Sequence, residues 1–364
     1  MKILLLAPEL FRSEGGISRI LRLYLRALGQ IAGTARETGY VALNDLPGSD
    51  PRAAELSPQG LACAIGCDRG KAAFAQAVWR EGWDKDLIVC GHLHQLSVAW
   101  LLSLVRPRLR YVLVAHGIEV WRPYKWIERR SLRGAARILC ISEFTRRQVL
   151  RFDPGLDPAR LVVVPNSFDP GFETAAVAPQ SEARPTGGPI ILTVARLTRA
   201  DTYKGVDTVI EAMPRLLRVL PQTRLRVVGE GDDLPRLRAL AQRTGVAGAV
   251  HFTGFVNDAV LRGEYRGCDL FALPSRKEGF GLVYLEALGG GKPCIAARAG
   301  GSPEVVDHEV GALVDYGNSE QLADAVIELW RHPPPVERLR GRAEHFSFSR
   351  FQDRLRAALP TGLP

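Results

Sequence analysis

Pro274-Ser275-Arg276-Lys277-Glu278-Gly279-Phe280-Gly281-Leu282-Val283-Tyr284-Leu285-Glu286-Ala287-Leu288 is the stretch that decides how this chain is read. The apolar run 269–273 before it predicts a buried strand, and Leu285 to Leu288 at its end favour helix. The order is therefore strand, Gly-containing loop, helix. A helix that starts near Gly281 and Leu282 leaves first-turn N–H groups unpaired, and with the helix dipole these attract an anion such as phosphate. Gly279 and Gly281 let a ligand come close to the backbone. Glu278 lies in the loop and Glu286 about one turn into the helix. Two carboxylates would repel a bare phosphate, but they suit the hydroxyls of a sugar as hydrogen-bond acceptors. A helix with an acidic first turn and one exposed Glu satisfies the same spacing, and spacing alone leaves both readings open.

The two glutamates, with Gly279-Phe280-Gly281 between them, resemble the signature of the retaining glycosyltransferases of family 4. The resemblance implies an α/β chain of the GT-B fold: two Rossmann-like domains facing each other across a cleft, with the C-terminal helix crossing back to the first. It implies an acceptor-side domain from residues 1–168 plus 346–364. A linker over 169–188, rich in Pro, Ala, Gly and Ser, would lead to a nucleotide-sugar-binding domain over 189–345.

Length and composition agree with two domains. The chain has 364 residues, 46% of them hydrophobic and 24% charged, as in an ordinary globular protein. No apolar run reaches the roughly 18 residues of a membrane span, and Met1 to Pro8 reads as the first strand rather than a signal peptide. The six cysteines show no paired metal spacing, and several lie inside apolar runs, which suggests a reducing, cytoplasmic setting. The net charge is +9, and most of the excess lies in the first half. A basic half suggests an anionic partner such as nucleic acid, a phosphorylated substrate or a membrane surface, although a solvated basic face accounts for it equally.

Other parts fall in order along the chain. Ile3 to Leu6 predicts a strand, followed by a loop containing Gly15 and Gly16 and an amphipathic helix with Arg19, Arg22 and Arg26 on one face. By itself this is a weak phosphate motif, neither G-x-G-x-x-G nor Walker. The resemblance places Gly15 and Gly16 on the acceptor side, with Gly16 also beside the donor diphosphate. Leu87–Cys90 predicts a strand ending at Gly91-His92-Leu93-His94, whose histidines read as cleft lining rather than metal ligands. Tyr111–Ala115 predicts another, ending in His116-Gly117-Ile118-Glu119. In the family the matching His points at the donor sugar; Glu119 stands where Asp is common, so its role does not transfer directly. From Trp121 to Arg133, aromatics alternate with cations. We read the tryptophans as packed inward and the Arg/Lys face as a surface for lipid headgroups. Ser142 is a candidate helix N-cap.

In the second half, Ile190–Val194 predicts a strand followed by Arg196, with Lys204 eight residues later. Two cations on one loop make a natural diphosphate clamp. In the family such residues bind the donor diphosphate, together with the N–H groups at Gly281 and Leu282. The resemblance gives the ribose to Glu286 and the donor sugar to Glu278, Gly279, Phe280 and His116, with Glu278 and His116 as the catalytic pair. It places Gly229, Gly231, Phe255 and Val256 near the base. No metal and no cofactor beyond the nucleoside diphosphate sugar is implied. The expected reaction transfers a sugar to a hydroxyl of a lipid-linked or membrane-surface glycan acceptor, with the enzyme cytoplasmic or peripheral on the inner membrane face. Nucleic acid is not expected as a partner. A non-hydrolysing sugar-nucleotide epimerase of the same fold and a non-catalytic sugar-nucleotide or nucleic-acid binder are the alternatives.

Overall fold

The computed structural model describes residues 1–32, 37–48, 50–57, 60–172 and 188–360. The expected linker lies outside the described residues over 173–187. The chain forms two compact units, Met1–Ser167 with Phe348–Pro364, and Phe168–Ser347.

In the first unit, strands β1 (Ile3–Ala7), β2 (Thr38–Ala42), β3 (Ala64–Gly66), β4 (Leu87–Cys90), β5 (Arg110–Ala115), β6 (Arg137–Cys140) and β7 (Leu161–Val163) alternate with helices. The helices are α1 (Gly16–Ala32), α2 (Arg52–Leu56), α3 (Lys71–Gly82), α4 (Leu96–Val105), α5 (Trp126–Gly134) and α6 (Glu143–Phe152). The strands pair in parallel in the order β3-β2-β1-β4-β5-β6-β7. Central strands read as unbroken apolar runs, Ile-Leu-Leu-Leu-Ala in β1 and Leu-Ile-Val-Cys in β4, because helices cover both faces of a parallel sheet. Strand order reverses between β1 and β4, so the loops after these strands diverge at the sheet's carboxyl edge and open a crevice there.

The second unit repeats the plan. Strands β8 (Ile190–Val194), β9 (Arg224–Val228), β10 (Val250–Gly254), β11 (Leu270–Leu273), β12 (Cys294–Ala297) and β13 (Gly311–Val314) form a parallel sheet ordered β10-β9-β8-β11-β12-β13. Its helices are α7 (Val206–Val219), α8 (Leu234–Arg243), α9 (Asp258–Gly267), α10 (Leu282–Gly289), α11 (Ser319–Arg331) and α12 (Val336–Glu344). The reversal falls between β8 and β11. The loop carrying Arg196 and Lys204 follows β8, and the loop carrying Glu278 follows β11.

The chain ends in α13 (Phe348–Ala358), which packs on α1 of the first unit. The Tyr24 and Phe351 rings meet edge to face at 5.0 Å, and the Arg26 guanidinium lies over Phe348 at 4.7 Å. Helix α12 was not expected from the sequence, because its segment, Val-Glu-Arg-Leu-Arg-Gly-Arg-Ala-Glu, offers little beyond Leu339 and Ala343 to bury. All six cysteines are free thiols. Among the described residues no helix is long and apolar enough to cross a membrane.

Candidate functional site

The loop after β8 is organised by a residue that sequence reasoning passed over. Asp201 is buried and accepts hydrogen bonds from Arg196 Nε at 2.8 Å, Thr198 Oγ1 at 2.7 Å and Tyr203 Oη at 2.7 Å. Burial would raise its carboxyl pKa, but bonds from Thr198 and Tyr203 and the Arg196 charge outweigh that and hold it below the usual range. The guanidinium is thus oriented while the Arg196 side chain stays 70% exposed, open to a ligand. Nothing in the local sequence marks Asp201, since an Asp in a polar loop is ordinary.

Lys204 closes this loop and pairs with the next one. Its Nζ lies 2.7 Å from Glu278 Oε2, and both side chains are largely shielded from water. Gly205, at φ 74°, lets α7 begin directly beside Pro274. The Gly300-Gly301 turn backs the Glu278 loop from below, and Gly301 N–H donates to the Glu278 carbonyl at 2.8 Å. Gly281 caps α10 at φ 98°, where a Cβ would collide with the Tyr284 ring. The ring of Phe280 is buried against Phe346 at 5.3 Å, so only the backbone of Gly279-Phe280 remains for a ligand.

Glu286 is 3% exposed, and its Oε2 accepts a hydrogen bond from Tyr265 Oη at 2.8 Å. The alternative of an exposed surface glutamate is therefore wrong. α10 turns Glu286 inward, where a tyrosine from α9 supplies the hydrogen bond that a buried carboxylate requires. Gly229 and Gly231 both have positive φ in the turn after β9, and Gly229 N–H donates to the Gly254 carbonyl at 2.9 Å. Phe255 follows Gly254 with its ring exposed.

In the first unit, His116 ends β5 and is buried, and its Nε2 lies 2.9 Å from the Gly91 carbonyl oxygen at the end of β4. Burial pushes its pKa down to about 4. The ring is therefore neutral near pH 7 with its proton on Nε2, which leaves Nδ1 as an acceptor. Glu119 Oε1 accepts from the N–H groups of His116 at 2.6 Å and Gly117 at 3.1 Å, so it fastens the turn that aims His116. His92 is pushed down to about 4 mainly by burial, and its Nδ1 accepts from His94 N–H at 3.2 Å. Among the described residues no group of three metal-ligating side chains converges there.

The loop before Gly15 and Gly16 is held by a second residue missed in the sequence. The buried Asp45 carboxylate accepts from the N–H groups of Leu10, Phe11 and Arg12 at 3.1–3.2 Å. Arg22 binds the Leu10 carbonyl at 2.8 Å, and Arg52 binds that of Phe11 at 2.7 Å.

One expectation is corrected. Trp121 does pack, edge to face on Phe144 at 5.0 Å, but Trp126 is 68% exposed. It occupies the first position of α5, before the helix has turned its apolar side onto the sheet.

The family model for Glycosyltransferase Family 4 matches residues 66–172, and that for Glycosyl transferases group 1 matches 176–346. A GDP-mannose-dependent alpha-(1-6)-phosphatidylinositol monomannoside mannosyltransferase of Mycolicibacterium smegmatis is 30% identical over 296 residues, spanning 73% of this chain and 75% of that one. The chain belongs to glycosyltransferase family 4. The counterpart of that enzyme in Mycobacterium tuberculosis is 34% identical over 267 residues, 65% of this glycosyltransferase and 67% of its relative. Among solved structures, HepE from Anabaena in complex with UDP and glucose superposes with a TM-score of 0.76 at 21% identity, over 98% of each chain. WaaG, a glycosyltransferase of lipopolysaccharide biosynthesis, superposes at 0.71 and 18%, over 99% of this family 4 chain and 100% of its own. These likenesses establish the GT-B fold.

Proposed function

We propose that this glycosyltransferase transfers a sugar, with retention of anomeric configuration, from a nucleoside diphosphate sugar to a hydroxyl of a lipid-linked acceptor. The observation that carries the reading is the Lys204–Glu278 pair. It sets a cation for phosphate beside a carboxylate for sugar hydroxyls at the point where strand order reverses. The bond from the anomeric carbon to the diphosphate oxygen breaks, and a bond from that carbon to the acceptor oxygen forms. The acceptor proton passes to the departing phosphate.

Charge grows on the leaving diphosphate as the bond breaks. Arg196, Lys204 and the N–H groups at Gly281 and Leu282 stabilise it, and we assign the backbone of Gly16 to the same diphosphate. These groups fill the electrostatic role that a metal ion plays elsewhere, so we assign no metal or other cofactor. Glu278 and the Gly279-Phe280 backbone hold the sugar hydroxyls. Neutral His116 accepts from a hydroxyl at Nδ1, and Glu286, set by Tyr265, takes the ribose. The exposed ring of Phe255, with Val256, Gly229 and Gly231, borders the base. Two relatives named for GDP-mannose and a phosphatidylinositol mannoside support GDP-mannose as donor and a phosphoinositol-type lipid as acceptor.

Thermal unfolding with GDP, UDP and ADP tests the donor site. A nucleotide at about 100 times its dissociation constant adds roughly 2.7 kcal/mol. GDP should raise the Tm of wild type strongly and that of Lys204→Ala weakly. No shift from any of the three nucleotides overturns the site, and a shift from UDP or ADP alone overturns GDP-mannose.

A further inference from the structure

One side chain grips the loop that carries Arg196 and Lys204 from outside: Arg236 of α8. Its guanidinium forks over the Asp233 carboxylate, with Nε 2.7 Å from Oδ1 and Nη2 2.7 Å from Oδ2. The same group reaches Asp207 Oδ2, at 3.3 Å from Nη1 and 3.4 Å from Nη2. Asp207 lies in the first turn of α7, just beyond Lys204 and Gly205.

Asp233 holds the other end of the loop. Its side chain is buried, and its N–H donates to the Leu197 carbonyl, next to Arg196, at 2.8 Å. Asp232 accepts from Arg199 N–H through Oδ1 at 2.9 Å, and Leu197 N–H donates to the Glu230 carbonyl at 2.9 Å. A Cβ on Gly231 would collide with the Leu197 carbonyl, so the loop and the turn after β9 touch backbone to backbone. Arg236 therefore closes a ring: from Asp233 to Leu197, along the loop to Lys204, and through Asp207 back to the guanidinium. The space these residues enclose is only about 10 Å³, the room of one water, so the ring is filled by its own atoms and is not itself a ligand pocket. Asp201 bonds only within the loop, to Arg196, Thr198 and Tyr203, and does not tie the two ends to each other.

We propose that Arg236 is a positioning residue for the donor diphosphate. By joining Asp233 to Asp207 it holds Arg196 and Lys204 at the separation that spans two phosphates. A planar guanidinium fork fixes direction as well as distance, which a point charge does not. The inference rests on the donor-site reading above and adds to it a residue that acts through the two cations. An ion pair that only stabilises the fold would lower the melting temperature and leave ligand preference alone. A positioning residue changes that preference, because two cations at the wrong separation still bind one phosphate but no longer span two.

The test is calorimetric titration of the full chain with GDP, UDP and ADP, and with the monophosphate of each nucleoside whose diphosphate binds. Wild type should prefer the diphosphate. Arg236→Ala should reduce diphosphate affinity about tenfold or more, the scale of one charge-assisted hydrogen bond, and monophosphate affinity far less. Arg236→Lys keeps the charge but cannot span both carboxylates, so it should resemble Arg236→Ala rather than wild type. Should Arg236→Ala fail to fold because the buried Asp233 loses its partner, Asp207→Ala opens the ring at its half-buried end and should show the same loss of preference. Equal losses for the two phosphates, full recovery in Arg236→Lys, or an unchanged preference in the variants would each overturn the inference and leave the donor site in place. A wild type that binds none of the three nucleotides overturns the donor site, and this inference with it.

Discussion

Lys204 Nζ lies 2.7 Å from Glu278 Oε2, joining two loops that are 74 residues apart in the chain. Each side chain is the other's partner. In the proposed reaction they part, the ammonium to the diphosphate and the carboxylate to sugar hydroxyls, and the donor supplies new partners to both at once. Removing one of a shielded pair leaves the other uncompensated. We expect Lys204→Ala to lower kcat/KM on the order of 10²-fold or more. Glu278→Gln should lower kcat while the nucleotide-induced Tm shift persists, because the nucleotide alone does not use Glu278. Steady-state kinetics beside Tm measurements with GDP separates the two roles.

Asp201 gathers Arg196, Thr198 and Tyr203. Asp201→Ala should destabilise the protein by roughly 1 kcal/mol, because the half-buried Thr198 and Tyr203 donors lose their acceptor. It should also raise the donor KM as Arg196 loses its orientation. Urea unfolding and donor titration of the same variant check both effects, and an unchanged KM would remove Arg196 from the donor site.

Tyr265→Phe leaves the buried Glu286 carboxylate without the hydroxyl donor seen here. Losing one buried hydrogen bond costs roughly 0.5–1.5 kcal/mol, and we expect a stability loss of that size. If Glu286 holds ribose, nucleotide binding should weaken as well. Calorimetric titration with GDP measures this directly.

The Asp45 carboxylate fixes three consecutive N–H groups of the loop ahead of Gly15. Asp45→Ala should cost roughly 1–3 kcal/mol or more. Hydrogen exchange should rise at Leu10, Phe11 and Arg12 while the β1 amides stay protected.

The histidines set a pH dependence. His116 and His92 are pushed down to about 4 in the folded protein, mainly by burial. An unfolded His titrates near 6.5. Between these values the unfolded state binds more protons, so stability falls as pH drops from about 6.5 towards 4 and is fully present above that window. Urea unfolding across this range should show the slope, and His116→Gln should flatten it.

The sequence by itself determined many of the elements and their order, though not α12 or the short units between β2 and β4. Apolar runs such as Ile3–Leu6 and Ile190–Val194 can only be buried strands, and the helices between them carry one apolar face. The spacing of Glu278, Gly279, Gly281 and Glu286 is a local property of one strand–loop–helix unit, so it was legible in the linear chain, as was the Ser142 cap, which accepts from Thr145 N–H. What local patterning cannot encode is which distant side chain meets which. Tertiary structure alone decided that Lys204 faces Glu278, because the reversal between β8 and β11 brings their loops together. It alone decided that Glu286 turns inward to Tyr265, and that Asp201 and Asp45 serve neighbouring loops. It also left Trp126 in water, since an apolar residue is buried only if another element covers it, and coverage is a property of the whole fold.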